Sequence, residues 1–254
     1  YRYHNAPAGW FALQSIARTA FDQSLGRNPE LFSGRLYKPL DTAVPQQFFA
    51  TSMVLTPLIR GLLGIDVDAP ARRVTIAPHL PPDWDAIEVD HVPVGAGELS
   101  FAIRRTAGRI TASVRRTGDA TPLEVVFSPA LPLGARIEGP GTVTQTTEGD
   151  VHGTTKAMVT GQAELAVSYS GGWSIVPPVT RPLIGQRSSA PRILSERLVE
   201  GGRYAVSMEG IAGRSYVFRL RAPGADTDRA ITITFPPTGA NTDGYTALTL
   251  TFGG

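Results

Sequence analysis

The chain has 254 residues, enough for one or two domains with their own hydrophobic cores. It contains no cysteine, which excludes disulfide scaffolds, thiolate metal sites and cysteine nucleophiles. The net charge of +2, with arginines scattered along the chain, predicts neither a nucleic-acid partner nor a membrane surface, and no apolar run reaches the ~20 residues that span a bilayer.

Two helical patterns are predicted at the beginning of the chain. In residues 9–24 apolar side chains recur every three or four positions, which predicts an amphipathic helix that Gly26 ends. Residues 46–63 predict a second helix, in which Pro57 causes a kink or a break and which Gly64 caps. The predicted buried faces are Trp10, Leu13, Ala17, Ala20 and Phe21 in the first helix and Phe48, Ser52, Leu55, Ile59 and Leu62 in the second.

From Val74 onward the apolar period changes from about 3.6 residues to 2, which predicts short β-strands. Each predicted strand is bounded by Gly, Pro or Asp, and Ala107 with Gly108 predicts a tight turn between two of them. The strands are predicted at residues 74–77, 87–90, 99–103, 110–114, 123–127 and 164–169. Many strands without intervening helices favour an antiparallel sandwich over residues 71–172.

A Pro-containing segment at residues 173–190, which follows Gly171 and Gly172, predicts an extended linker. Beyond it, residues 192–199 fit either a short helix or a strand, and further strands predict a smaller β-unit over residues 191–254. The predicted fold class is therefore mainly β, with an N-terminal α-helical segment over residues 1–70.

The loop between the two predicted helices carries one notable carboxylate. Glu30 lies between Pro29 and Gly34, and amide, guanidinium and phenol groups follow within twenty positions. A carboxylate on a rigid loop, near groups that hydrogen-bond hydroxyls, is what sugar hydrolysis requires. A Glu after proline also occurs as a solvated loop residue or a helix cap, and that alternative stays open.

The motif Pro-Glu-Leu-Phe-Ser-Gly at residues 29–34, followed by Pro-Gln-Gln-Phe-Phe-Ala-Thr-Ser-Met at residues 45–53, resembles the C-terminal part of amylo-alpha-1,6-glucosidases. These are bacterial six-hairpin glycosidases of the glycogen-debranching type. The first ten residues are similar to the family's Tyr-His-Asn-Gly-x-x-Trp-Pro segment, with Ala6 in place of Gly, and residues 74–84 are similar to its hinge. The resemblance implies that residues 1–70 are the last helices of an (α/α)6 barrel.

The resemblance also implies an activity, that of an inverting, exo-acting alpha-glucosidase of debranching type acting on an oligo- or polysaccharide. Glu30 is then the general base that activates water, and it faces a general acid about 6.5–9.5 Å away. That acid is expected from the N-terminal portion of the same enzyme or from a companion chain. No cofactor or metal is implied, and a bacterial periplasmic or secreted location is expected by analogy alone.

Seven further residues are implied as substrate contacts: Tyr3, His4, Trp10, Arg35, Tyr37, Gln46 and Gln47. An aromatic face stacks on a pyranose ring, and His or amide groups bond its hydroxyls. Trp10 can instead be a core residue of the barrel, and Arg35 with Tyr37 can be a solvated loop pair. Gln46 can instead satisfy free N–H groups at the start of the second helix.

Two other interpretations of the chain remain open. One is a non-catalytic β-sandwich module that binds carbohydrate or stabilises a partner, with the leading helices as a docking surface. The other is a different six-hairpin glycosidase, such as an alpha-L-rhamnosidase, which shares the layout of barrel and sandwich. The motif at residues 29–34 favours the debranching type over the rhamnosidase.

Overall fold

The structure, a computed structural model, describes residues 5–23, 25–139, 143–147 and 150–253, with residues 143–147 and 150 described by their backbone alone. The fold is mainly β, as predicted, with helices on the N-terminal side of a two-layer sandwich and a smaller β-unit after it. None of the helices within these ranges has the length and apolar character needed to cross a bilayer.

The first helix, α1, covers Ala6–Asp22 and confirms the first helical prediction. Asn5 caps its N-terminus, where the Asn5 side-chain oxygen accepts a hydrogen bond from the Ala8 N–H at 3.4 Å. At the other end, Gly26 takes a positive φ of 72° and donates its N–H to the Ala20 carbonyl at 2.7 Å. This left-handed glycine closes the C-terminal turn, as expected for its residue type.

The second helix, α2, covers Phe48–Thr56 and continues as a π-helix over Pro57–Leu62. The change from α to π begins at the proline, because this residue has no N–H to donate to the preceding turn. The structure thus confirms the expected break at Pro57.

The predicted buried faces of the two helices are only partly buried. Leu13 and Leu62 are buried, as expected. No described part of the chain covers several of the other apolar side chains, so their predicted burial is wrong for this structure; these exposed residues are Phe21, Phe48, Leu55 and Ile59.

The sandwich packs two sheets around one apolar core. In order across the first sheet, the strands are β1 (Ile65–Asp68), β2 (Arg73–Ile76), β6 (Leu123–Phe127), β10 (Asp150–Val159) and β7 (Ala130–Leu131), and β9 (Val143–Thr147) pairs with β10. In order across the second sheet, they are β3 (Ala86–Val94), β4 (Gly97–Thr106), β5 (Arg109–Thr117), β11 (Gln162–Ser170) and β8 (Arg136–Glu138).

One strand pair departs from the predicted antiparallel arrangement. Strands β2 and β6 run parallel, with Val74 opposite Val125. The chain leaves β2, forms three strands of the other sheet and returns beside β2, and such a crossover connection joins parallel strands. The predicted turn at Ala107 and Gly108 is confirmed between β4 and β5.

The C-terminal part forms a separate β-unit with its own core. One of its sheets contains β12 (Ser174–Val176), β15 (Ser215–Arg221) and β16 (Arg229–Thr234), and the other contains β13 (Arg192–Val199), β14 (Arg203–Ile211) and β17 (Tyr245–Phe252). Residues 192–199 are therefore a strand rather than a helix. The range predicted as a linker begins with β12, and Trp173 beside it is buried, stacked on Tyr204 with ring centroids 5.6 Å apart.

Candidate functional site

Glu30 lies on the loop that joins α1 to α2, and backbone hydrogen bonds across this loop hold it in place. The Glu30 N–H donates to the Val44 carbonyl at 3.0 Å, and the Leu40 N–H donates to the Leu31 carbonyl at 3.1 Å. The Glu30 side chain is exposed, and its Oε2 accepts a long hydrogen bond of 3.4 Å from the Val44 N–H. The carboxylate is thus oriented by its own loop and still open to solvent.

Asn28 anchors this loop to α1 two residues before the carboxylate. Its buried side-chain amide donates to the Ile16 carbonyl at 3.1 Å and to the Thr19 hydroxyl at 2.7 Å. Its backbone carbonyl accepts a hydrogen bond from Gln47, the residue that precedes α2, at 3.0 Å. One buried residue therefore fixes both helices relative to the loop, because a buried amide is costly unless its donors are satisfied.

A cavity of about 680 Å³ opens beside Glu30, between α1, the loop, the start of α2 and the segment around Thr180; we call it the Glu30 cavity. Three of the predicted substrate contacts, Arg35, Tyr37 and Gln47, line it together with Glu30. Among the described residues that line this cavity, Glu30 is the only acidic one. The arrangement provides one carboxylate and several hydrogen-bonding groups around a space large enough for a sugar.

Tyr37 belongs to a hydrogen-bond network at the back of the Glu30 cavity. Its hydroxyl donates to Oδ2 of Asp22 at 2.9 Å, and Arg181 also pairs with Asp22. Burial, followed by the neighbouring Asp22, raises the pKa of Tyr37 to about 12, while the hydrogen bond from Arg181 lowers the pKa of Asp22. Tyr37 is therefore a fixed neutral group rather than part of a solvated pair, whereas Arg35 is exposed at the cavity rim.

The other predicted contacts do not join this group. Tyr3 and His4 lie outside the described residues. Gln46 is exposed, does not line the Glu30 cavity, and makes no side-chain cap for α2. Trp10 lines a different cavity, where it packs against Trp84 in a T-shaped contact with ring centroids 5.0 Å apart.

The separation of Trp10 from Glu30 follows from the geometry of α1. Ser15 and Arg18 lie on one face of the helix and line the Glu30 cavity. Trp10 and Gln14 lie on the neighbouring face and line the second cavity, and Phe11, between the two faces, lines both. Because one step along a helix turns the side chain by about 100°, Gln14 and Ser15 face two different cavities although they are adjacent in sequence.

Three residues that hold the site together were not predicted from sequence. These residues are Asn28, Asp22 and Arg181, and no motif in the sequence assigns them a role at the site. A polar residue directly before the Pro-Glu motif was the one local signal for an anchor. Arg181 lies 159 positions from Asp22, so no local pattern connects them.

The described residues contain no cluster of His, Cys, Asp and Glu side chains that could hold a metal ion.

The comparisons with protein-family models, with curated proteins and with solved structures find no match for this chain.

Proposed function

We propose that the chain is part of an inverting, exo-acting glycoside hydrolase of the debranching alpha-glucosidase type, with Glu30 as its general base. In this proposal the helices before β1 are the last helices of an (α/α)6 barrel. The substrate is an oligo- or polysaccharide. The general acid and the remainder of the pocket come from the N-terminal portion of the same enzyme or from a companion chain.

The observation that carries the proposal is the position of Glu30. Its exposed carboxylate lies at the edge of a cavity of about 680 Å³, on a loop that Asn28 anchors to α1. A general base must reach the attacking water while its loop stays rigid. The exposure of the Glu30 carboxylate and the hydrogen bonds of its loop support both requirements, and the polar side chains of Arg35, Tyr37 and Gln47 in the same cavity support a role in binding sugar hydroxyls.

The uncovered apolar side of α2 supports the need for a partner segment. Phe48, Phe49 and Met53 are exposed to 78%, 70% and 60%, and α2 has no buried residue. Large apolar side chains grouped on a helix usually mark an interface. Phe49 and Met53 also line the Glu30 cavity, so a segment that covers α2 would enclose the space around the carboxylate.

The proposed reaction divides the work between two carboxyl groups. Glu30 removes a proton from water as that water attacks the anomeric carbon, and the acid on the partner segment protonates the leaving oxygen. The Tyr37 hydroxyl keeps its proton and donates it in the hydrogen bond to Asp22, so its oxygen remains an acceptor for a sugar hydroxyl. Arg35 and Gln47 present donors, so hydroxyls of one sugar ring can be oriented from several sides.

A second candidate function is a non-catalytic carbohydrate-binding module. The observation that favours it is that no second acid lines the Glu30 cavity within the described residues. Such a module binds sugars through the same polar groups but releases no product. The rhamnosidase-type alternative uses the same layout and differs in the sugar that is released.

Substitution of Glu30 by Gln tests the proposal in the complete assembly, containing this chain and its partner segment. We expect hydrolysis of alpha-1,6-linked glucosides to fall by about 10²- to 10⁴-fold, because an amide cannot accept the proton of water. The thermal unfolding midpoint should stay unchanged, since Glu30 is exposed. Proton NMR of the first product measures both the rate and the stereochemistry, and inversion releases the beta anomer of glucose.

Glu88→Gln is the matched control, because Glu88 is an exposed carboxylate on β3 of the sandwich. This variant should hydrolyse the substrate at the wild-type rate. Full activity in Glu30→Gln would show that another group is the base. Saturable sugar binding without any hydrolysis by the assembly would favour the non-catalytic module, and preferential release of rhamnose would favour the rhamnosidase.

A further inference from the structure

The second cavity, of about 600 Å³, lies where α1, one end of the sandwich and the C-terminal β-unit meet; we call it the junction cavity. Its volume is typical of small-molecule sites. Trp10 and Trp173 contribute aromatic surface to its wall. Glu30 does not line it, so the proposed hydrolysis makes no use of this space.

One wall of the junction cavity carries the positively charged side chain of Arg105, on a strand face that otherwise points into the core. Leu99, Phe101 and Ile103 on β4 are buried and point into the sandwich core. Arg105 is the next residue on the same face of this strand, and it lines the cavity where the apolar row ends. A charged side chain on a core-facing row is costly unless another group compensates its charge.

The hydrogen bonds of Arg105 leave part of its guanidinium available. Nη2 donates to the carbonyls of Pro81 and Trp84, which leaves the Nε–H and both Nη1–H groups without a hydrogen bond to a described residue. Within the same residues, no carboxylate forms an ion pair with Arg105. Burial lowers the pKa of Arg105, and Tyr169, Asp85 and Asp83 only partly oppose this effect.

Tyr169 brings a second donor to the same end of the sandwich. Ile110 pairs with Arg105 on one side and with Val167 on the other, and Tyr169 follows Val167 on the inward face of β11. Tyr169 is only 7% exposed and lines the junction cavity, yet its hydroxyl makes no hydrogen bond to a described residue. Burial raises its pKa, partly opposed by Arg105 and Arg221, so it stays a neutral O–H donor near neutral pH.

We propose that the junction cavity binds a small carboxylate ligand built on a ring, of which a uronate sugar is an example. The carboxylate accepts hydrogen bonds from the free N–H groups of Arg105 and from the Tyr169 hydroxyl, and the ring lies against Trp10. A carboxylate fits because a partly buried guanidinium forms its strongest hydrogen bonds with an oxyanion. The ligand compensates the one cation that the described structure leaves without an ion pair on this wall. The site is independent of the chemistry proposed for Glu30.

Intrinsic fluorescence tests this proposal, since two of the three tryptophans of the chain line the cavity. Sodium D-glucuronate is titrated into the chain, with D-glucose as the neutral match and inorganic phosphate as the alternative oxyanion. We expect a saturable fluorescence change with glucuronate and about tenfold weaker binding for glucose, which lacks the charged acceptor.

Two variants assign the binding to this wall. Arg105→Gln should weaken glucuronate binding about tenfold or more, and Tyr169→Phe should weaken it about two- to tenfold. Arg104→Gln is the matched control and should bind as wild type, because Arg104 is exposed on the opposite face of β4. Thermal unfolding of each variant checks its folding. If Arg105→Gln does not fold, the affinity of Tyr169→Phe for glucuronate tests the proposal instead. This variant should fold, because the Tyr169 hydroxyl that it lacks makes no hydrogen bond to a described residue.

Four results would overturn the proposal. These are the absence of a saturable change with glucuronate, equal binding of glucose, phosphate binding at least as tight as glucuronate, and wild-type affinity in the folded Arg105 or Tyr169 variants. Tighter binding of phosphate would assign the wall to free inorganic anions rather than to a carboxylate ligand.

Discussion

Gly64 is the residue at which the π-helix changes into the first strand of the sandwich. Its φ of 60° lies in the left-handed region, and a Cβ atom at this position would lie 2.0 Å from the Ala77 carbonyl oxygen. The Gly64 carbonyl also accepts a hydrogen bond from the Ala77 N–H at 3.0 Å. Glycine is therefore required here for two separate reasons, backbone conformation and close approach.

Substitution of Gly64 by Ala should lower the free energy of unfolding by about 3 kcal/mol or more, because the strained φ and a backbone clash add together. Urea unfolding followed by circular dichroism measures the loss. Gly95→Ala is the matched control, since Gly95 has nearly the same φ of 65° but open space around its Cβ position. It should cost about 1 kcal/mol, the price of the left-handed conformation alone. Equal losses in the two variants would contradict the clash at Ala77.

At the scale of elements, the segment between β12 and β13 is more than a linker. It runs along the loop between α1 and α2, where the Tyr37 N–H donates to the Gln186 carbonyl at 2.8 Å and the Gly185 N–H donates to the Tyr37 carbonyl at 2.9 Å. Arg181 on this segment pairs with Asp22 at the end of α1. The segment thus joins the helical part of the chain to the C-terminal β-unit.

The ion pair between Asp22 and Arg181 predicts a stability effect at acid pH. Arg181 lowers the pKa of Asp22 in the folded chain. The ion pair therefore stabilises the folded chain fully above the pKa that Asp has in the unfolded chain, about 3.9, and this stabilisation is lost as the pH falls through the pKa of Asp22 in the folded chain. We expect Asp22→Asn to be less stable than wild type at pH 7, with the difference shrinking below about pH 4.

Urea unfolding of the wild-type protein and of Asp22→Asn between pH 7 and pH 2.5 measures the difference in their free energies of unfolding. Asp41→Asn is a suitable control, because Asp41 is exposed and its ion pair with Lys38 is long, at 3.8 Å. This variant should follow the wild-type pH profile closely. A stability difference for Asp22→Asn that stays constant down to pH 2.5 would show that the pair does not titrate as proposed.

The sequence predicts a strand well where the alternation of apolar and polar residues is complete within the strand itself. Strand β6 has the predicted bounds, because its apolar residues alternate without interruption. Strand β10 was not predicted, since Gly153 interrupts its pattern; a Cβ there would lie 2.3 Å from the Val167 side chain. Short edge strands such as β7 and β8 contain too few residues to show a period.

The same distinction applies to the candidate site. Arg35, Tyr37 and Gln47 were predicted beside Glu30 from one short stretch, and all line its cavity. Their closeness follows from one compact loop. Trp10 was grouped with them by resemblance, but its position depends on which face of α1 meets the loop. Packing between segments that are distant in sequence decides which face of α1 meets the loop, and no local pattern in the sequence indicates that packing.

At the scale of the whole molecule, the residues that the structure describes form two hydrophobic cores. Phe101 lies in the core of the sandwich and Phe218 in the core of the C-terminal β-unit, and both side chains are almost fully buried. The two cores belong to different sheets. The described contacts between the units include the partly exposed ion pair of Arg219 with Asp83 at 3.5 Å and the side chain of Leu133, which lies between β7 and β8 and packs against the C-terminal core. Partly exposed ion pairs contribute little stability, and no described residue is buried in both cores, so we expect each unit to unfold on its own.

Replacing each phenylalanine by Ala makes a matched test of this independence, because the substitution removes the same atoms from each core. Each variant should lose about 3–5 kcal/mol of local stability. In Phe218→Ala, hydrogen exchange followed by mass spectrometry should show lost amide protection in β13, β14 and β17, while β4 and β5 stay protected. Phe101→Ala should show the reverse. If either variant lost protection equally in both units, the chain would be one cooperative unit, and the helices, the sandwich and the C-terminal β-unit would have to fold together.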